Sequence, residues 1–443
     1  MGHVVIRDRN ALATSDAHAT ALACVEAGIA AADPEAAVRE RVSVEDGTLW
    51  LGANSVDLDS FESVIVLGGG KAAASVAAGL EAVLGDRIDD GVVVTSAPEE
   101  TTQVSVVEAS HPVPDERGVA GARRVEAAAR EADADTLVLA VVTGGASALL
   151  PAPVDGVDLT ALRETTTALL ESGAPITDVN AVRKHLSRLK GGGLARAAAP
   201  ARVSTLVVSD VVGDDLGVIA SGPTAPDPTT FADALDVLER FEVTVPDAVR
   251  SHLSAGAAGE RAETPGPDDS FFDRVTSHVL ANGRTALDAA RAEAEDRGYD
   301  ALVLSASVRG EAREQGLAHL AIAEEVVTRG DPLSPPAVVL SGGETTVTVH
   351  GDGEGGPNQE FALRAALELP AECVLTAVDT DGVDGGTDAA GALVDGRTVT
   401  DPETAREALD ANDAYGYLDA RNALLRTGPT GTNVNDLRVL VVD

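Results

Sequence analysis

A chain of 443 residues with 72 Asp and Glu against 33 Lys and Arg carries a formal charge of −39. That surplus, with no basic stripe bearing interleaved aromatics, excludes a nucleic-acid partner, and the 44% of hydrophobic residues, gathered in ordered runs, excludes an acidic disordered chain. Self-repulsion on this scale needs screening; at molar salt the Debye length shrinks to roughly 3 Å, so the composition predicts a salt-adapted protein.

The opening MGHVVIRDRN has no apolar run of signal length, and no stretch reaches the roughly 18 apolar residues of a membrane span. Cys24 and Cys373 lie far apart without metal-ligand spacing. A cytoplasmic, reducing location with no membrane partner is expected.

Short β-branched runs then alternate with Ala-rich amphipathic stretches: SVIVLGGG before KAAASVAAGLEAVLG, TLVLAVVTGG before DLTALRETTTALLESG, then STLVVSDVVG. Strands apolar on both faces belong in a parallel sheet covered by helices, so the fold class is α/β. The polar stretch Ala255 to Ser270 reads as a linker, and the alternation resumes with ALVLSASV, AVVLSGGETTVTV, CVLTAVDTDGVDG and LRVLVV. Two domains are expected, 1–254 and 271–443.

Glycines at strand ends let a ligand approach the backbone, and helix starts offer free amides. In VIVLGGGKAAAS, Gly69 and Gly70 leave a strand and Lys71 follows, one of only three lysines in the chain. Ile65 and Ala72 occupy positions where a Walker A loop needs Gly and Ser or Thr, whereas Gly68, Gly70 and Ala73 satisfy the weaker G-x-G-x-x-A dinucleotide string. A lysine in this place points to neutralisation of a phosphate. VTGGASALLPAP repeats the design with Gly144, Gly145 and Ser147, and Leu149 two positions after the serine rules out a hydrolase elbow.

NAVRKHLSRLKGGGLA gathers Arg183, Lys184, Arg188 and Lys190 before Gly191 and Gly192. At helical spacing Arg183 and Lys190 share a face and Lys184 and Arg188 form an i, i+4 pair, so clustered cations in an acidic chain suggest an anionic ligand. Asp210, just past a Val-rich strand, can accept a proton or hold Mg²⁺, as can Asp214. Glu344, Asn358 and Glu360 follow strands in the second half as substrate-contact candidates. The run Asp379, Asp381, Asp384, Asp388 reads either as a Mg²⁺ or hydroxyl-binding loop, with Asp381 the metal candidate, or as salt-adapted acid. No H-E-x-x-H or C-x-x-C occurs, so zinc or thiol chemistry is not indicated. Glycine-lined anion sites with lysines and carboxylates are the parts phosphoryl transfer uses.

The strings GGGKAAAS, TGGASALLPAP, NAVRKHLSRLKGGGLA, SDVVGDDLGVIASGPT, SGGETTVTV, NQEFAL, TDGVDGGTDAAGA and GTNVNDL, in this order, resemble the two-domain glycerate 2-kinases whose C-terminal part is the MOFRL domain. The resemblance implies a Rossmann-like three-layer N-terminal domain, a second mixed-sheet α/β domain, and a cleft between them where ATP phosphorylates the 2-hydroxyl of D-glycerate with Mg²⁺. It implies that Lys71 is the catalytic lysine and that Asp210 lies in the aspartate motif assigned to catalysis. Where the family usually has arginine before N-Q-E this chain has Pro357, which has no side-chain donor, so an anion contact made there must come from elsewhere or be lost.

Two alternatives follow from the same residues. The dinucleotide string suits an NAD(P)-dependent hydroxypyruvate reductase, although only Glu99 and Glu100 offer themselves as ribose partners. The polar loops also suit a non-catalytic sugar-acid or nucleotide binder. A monomer or homodimer is expected.

Overall fold

The computed structural model describes residues 5–443. The chain forms two units, one built from residues 37–280 and the other from the N-terminal segment to Ala36 together with 281–443. Both are α/β, as the alternation of runs requires.

The 37–280 unit begins with a three-stranded antiparallel sheet, β1 (Val42–Glu45), β2 (Thr48–Leu51) and β3 (Asn54–Asp57). Its main sheet holds β4 (Ser63–Gly69), β5 (Asp90–Thr95), β6 (Val104–Glu108), β7 (Thr136–Thr143), β8 (Arg202–Val208) and β9 (Val275–Ala281), in the order β6-β5-β4-β7-β8-β9. From β6 to β8 all pairs are parallel. Every residue of β7 is buried, the consequence of helices on both faces of a central parallel strand. The strand order reverses between β4 and β7, and a crevice beyond the carboxyl ends of two such strands is where open α/β sheets bind ligands. Four helices, Leu159–Glu171, Ile176–His185, Phe231–Arg240 and Asp247–Ala257, enclose a separate core that includes Leu162, Leu169, Val182, Phe231 and Leu253.

The second unit has a six-stranded mixed sheet of β10 (Asp300–Glu311), β11 (Ala337–Thr346), β12 (Cys373–Asp379), β13 (Gly391–Asp395), β14 (Leu424–Leu425) and β15 (Asp436–Val442), ordered β10-β11-β15-β12-β13-β14. Only β10 and β11 pair in parallel; the other neighbours are antiparallel. One face packs against Ala312–Arg329 and Pro357–Ala366, with Phe361 and Leu363 fully buried.

The division differs from the sequential domains expected at 1–254 and 271–443. Helix Asp16–Ala31 buries Leu22, Val25 and Ile29 against Leu437, Val439 and Leu287 of the second unit. An apolar helix face shows that it needs cover, not which sheet provides it. The stretch 255–270, expected as a linker, is tied into the first unit: Pro265 accepts the Asp227 amide at 2.8 Å and the Thr264 hydroxyl donates to Asp227 Oδ2 at 2.9 Å. No helix among the described residues is long and apolar enough to cross a membrane.

Candidate active site

The carboxyl ends of β4, β5 and β7 are stitched around Lys71. Its amide donates to the Gly144 carbonyl at 2.8 Å, and its own carbonyl accepts the Thr95 hydroxyl at 2.9 Å. Gly70 makes this possible. Its φ is 136°, a region closed to most side chains, and a Cβ there would stand 2.1 Å from Thr143 Oγ1. The helix that follows starts at Ala73, so Lys71 lies in the turn before it rather than in its first turn.

Asp210, two residues past β8, comes to the same place. A Cβ on Gly144 would stand 2.1 Å from Asp210 Oδ2, so only glycine admits the carboxylate here. Burial raises the proton affinity of Asp210, and its own backbone N–H and the Lys71 charge oppose the rise without cancelling it. The result is a better proton acceptor than an exposed carboxylate. Among the described residues the Lys71 side chain has no acidic group within ion-pair distance, whereas Lys184, Arg188, Arg313 and Arg426 each have one.

Beyond Gly145 the segment turns into the short helix Ala146–Leu149. The amides of Gly145, Ala146 and Ser147 donate to no other group among the described residues. Ser147 Oγ lies 2.9 Å from Ser221 Oγ, which donates to Asn180 Oδ1 at 3.0 Å. The Ser147 carbonyl accepts Lys190 Nζ at 2.8 Å. Lys190 is buried, and burial first, then the nearby Arg183 charge, push its ammonium down to about 7. Ala220 and Ser221 hold φ of 55° and 61°, a strained pair that aims the Ser221 hydroxyl.

Several expected site residues have other work. Helix Ile176–His185 ends before Lys190, so Arg183 and Lys190 do not share a helical face; the loop 186–190 brings them into electrostatic contact instead. Lys184 Nζ pairs with the buried Asp227 at 3.2 Å. Arg188 binds Glu126 at 2.9 Å rather than pairing along the helix with Lys184. The Gly191 and Gly192 amides donate to the carbonyls of Ser221 and Gly222 at 2.9 and 2.7 Å, leaving none for a phosphate. Gly69 stays within β4, and the Gly70 amide is taken by Val94 O.

Glu344, Asn358, Glu360 and Asp381 belong to the second unit. Glu344 is exposed on β11, opposite Arg309 of β10. Glu360 is buried, receiving Arg313 Nε at 2.7 Å and Asn412 Nδ2 at 2.7 Å, which fixes it as a structural partner. Asn358 is equally buried and donates to Asp436 Oδ1 at 2.7 Å. Pro357 supplies the first residue of its helix, a position where the missing N–H leaves no bond unmade. The Asp384 carboxylate accepts the Asn358 and Gln359 amides that follow, and burial pushes it up to about 7 against those bonds. Asp381 closes its own turn by accepting the Val383 amide.

Asp214 lies in a left-handed turn of the first unit. Among the described residues no group of three or more His, Cys, Asp or Glu converges to hold a metal ion. The residues present therefore do not assemble a protein cage for Mg²⁺ around Asp214 or Asp381.

Asn180 and Ser221, which the sequence motifs do not single out, form the hydrogen-bonded chain that reaches Ser147. Asn180 sits in NAVRKH and Ser221 in ASGPT, so both lay inside noticed strings, but a left-handed serine has no signature in composition.

Fold and site together define an α/β protein in which Lys71, Asp210 and the unbonded amides of Gly145 to Ser147 meet at a reversal of strand order. Residues 20–254 match the family described as a domain of unknown function, DUF4147, and residues 337–436 match the MOFRL family. A glycerate 2-kinase of Pyrococcus horikoshii is 40% identical over 431 residues, 95% of this chain and 96% of that protein. A putative hydroxypyruvate reductase of Agrobacterium vitis is 40% identical over 427 residues, 94% and 92% of the two chains. The crystal structure of a glycerate kinase from Thermotoga maritima superposes with a TM-score of 0.84 at 39% identity, covering 96% of this chain and 99% of that one. The chain belongs to the glycerate 2-kinase family.

Proposed function

We propose that this chain is a glycerate kinase that transfers the γ-phosphoryl group of ATP to the 2-hydroxyl of D-glycerate. The observation that carries the reading is the pairing of an uncompensated Lys71 with the half-buried Asp210 across Gly144 and Gly145, at the strand-order reversal. Phosphoryl transfer asks the protein for position and charge rather than covalent chemistry.

In this reading Asp210 accepts the proton of the attacking hydroxyl, aided by the proton affinity that burial gives it. Lys71 and the free amides of Gly145 to Ser147 compensate charge on the transferring group. Lys190 and Arg183 add positive charge behind Ser147. Lys184, Glu360 and Asn358 hold structure in this reading. A magnesium ion bound with the nucleotide would take its oxygen ligands from phosphate and water and would supply charge neutralisation to the phosphates.

The test is product identity. With D-glycerate and MgATP in high-potassium buffer, release of ADP together with a product that enolase alone consumes supports the 2-kinase reading. Oxidation of NAD(P)H with hydroxypyruvate, without ADP release from glycerate, would replace it with the reductase reading.

A further inference from the structure

The segment Ala109 to Asp115 runs from the end of β6 to the helix Glu116–Glu131 and is pinned at three points. The Ala109 amide donates to Thr95 O at 2.8 Å, Arg163 Nε donates to Pro114 O at 2.5 Å, and Asp115 accepts the Ser110 and Gly118 amides. Thr95 is the residue that also holds the Lys71 carbonyl. What these anchors position is His111, a half-buried imidazole that makes no hydrogen bond to any described residue. A Cβ built on Gly145 would meet Lys71 Cγ at 3.0 Å and His111 Cδ2 and Nε2 at 3.0 and 3.1 Å. The ring and the lysine stem therefore lie against the same glycine, at the foot of the free amides.

We infer that His111 is a further substrate-contacting residue, whose Nε2–H donates to an oxyanion oxygen of the ligand that Lys71 binds. The inference rests on the kinase reading. The three anchors fix the ring beside Lys71 while leaving its nitrogens without a partner among the described residues, so the ring is held in place and free to bond a ligand. Burial, and after it the Lys71 charge, lower the His111 basicity, so at neutral pH the ring is a neutral donor beside a cation and adds no further repulsion to it. Two oxygens in this reaction fit that description, a nucleotide phosphate oxygen and the glycerate carboxylate, and both have the same hydrogen-bonding chemistry.

His111→Phe keeps the ring and removes the donor; His111→Gln places an amide N–H near the position of Nε2. Steady-state kinetics and calorimetric titration with D-glycerate and with MgATP separate the sources. We expect His111→Phe to lose about 10- to 100-fold in kcat/KM for one of the two substrates, with weakened binding of that substrate. His111→Gln should recover most of the loss, and the thermal midpoints of both variants should stay close to the parent. A glycerate-specific loss assigns the carboxylate, and an ATP-specific loss assigns the phosphate. Equal kinetics and binding in His111→Phe and the parent would overturn the inference, as would a loss in His111→Phe that His111→Gln fails to recover. A parent protein that binds a substrate without phosphorylating glycerate would overturn the kinase reading alone, and the titrations would still decide the role of His111.

Discussion

Lys184 Nζ lies 3.2 Å from Asp227 Oδ1, with the side chains 7% and 0% exposed. Asp227 also accepts the Thr229 hydroxyl at 2.7 Å and the Thr264 hydroxyl at 2.9 Å. The pair is thus the centre of a buried network that anchors the segment 263–265. Removing the ammonium leaves a buried carboxylate without its counter-charge, a change that destabilises by about 3–5 kcal/mol. Lys184→Met should lower the denaturation midpoint accordingly while the folded fraction keeps its kcat. A large loss of kcat in fully folded Lys184→Met would return this lysine to the substrate site.

Lys190 behaves differently, because among the described residues its ammonium has one hydrogen-bond partner, the Ser147 carbonyl. An ammonium pushed down to about 7 loses its charge as pH rises through neutrality. The expected kcat/KM therefore falls on the alkaline side with an apparent pKa near that value, and Lys190→Arg should remove this limb. Removing the Arg183 charge relieves one of the two causes, so Arg183→Met should move the limb to higher pH. Stability runs the other way. The folded pKa is below the unfolded one, so the unfolded chain holds more protons between about 7 and the ordinary lysine value; stability contributed by this residue rises with pH through that window. Thermal midpoints of the parent and Lys190→Met across that range read the difference.

Gly144 sets the position of Asp210. A methyl group there collides with Oδ2 at 2.1 Å and must displace the carboxylate or the turn. Misplacement of a reacting group by about 1 Å costs on the order of 100-fold in rate. Gly144→Ala should lose about that factor in kcat with an unchanged circular dichroism spectrum. Retention of full kcat would remove Asp210 from the chemistry.

Much of this site is legible in the sequence because it depends on residues near one another in the chain. VIVLGGGKAAAS and VTGGASALL each carry strand, glycine exit and polar residue within a dozen positions, and the fold sets them side by side as β4 and β7. What is not legible depends on distant partners. Lys184 meets an aspartate 43 residues away, and the Gly191 and Gly192 amides are used by a turn near Ser221. Cations clustered in sequence therefore separate into a buried ion pair at Lys184 and a buried ammonium held by the Ser147 carbonyl at Lys190. The N-terminal helix shows the same limit at the level of domains, since Leu22 and Ile29 require a cover that the distant β15 and helix Gly283–Asp296 supply.

The charge of −39 implies a dependence on salt. Between tenth-molar and molar KCl the Debye length contracts from about 10 Å to about 3 Å, which screens repulsion across the acidic surface. The thermal midpoint should rise steeply over that range, and dialysis into low salt should abolish the far-ultraviolet dichroism of the folded chain. A fully folded protein at low salt would contradict the salt-adapted reading.

The central claim is that Lys71, uncompensated beside Asp210, neutralises the transferring phosphoryl group. Its most direct test is the kcat of folded Lys71→Met in the D-glycerate and MgATP assay, at saturating concentrations of both. The account predicts a loss of about 100-fold or more, on the scale of removing one preorganised electrostatic contact from a transition state. Turnover within a factor of a few of the parent would contradict it.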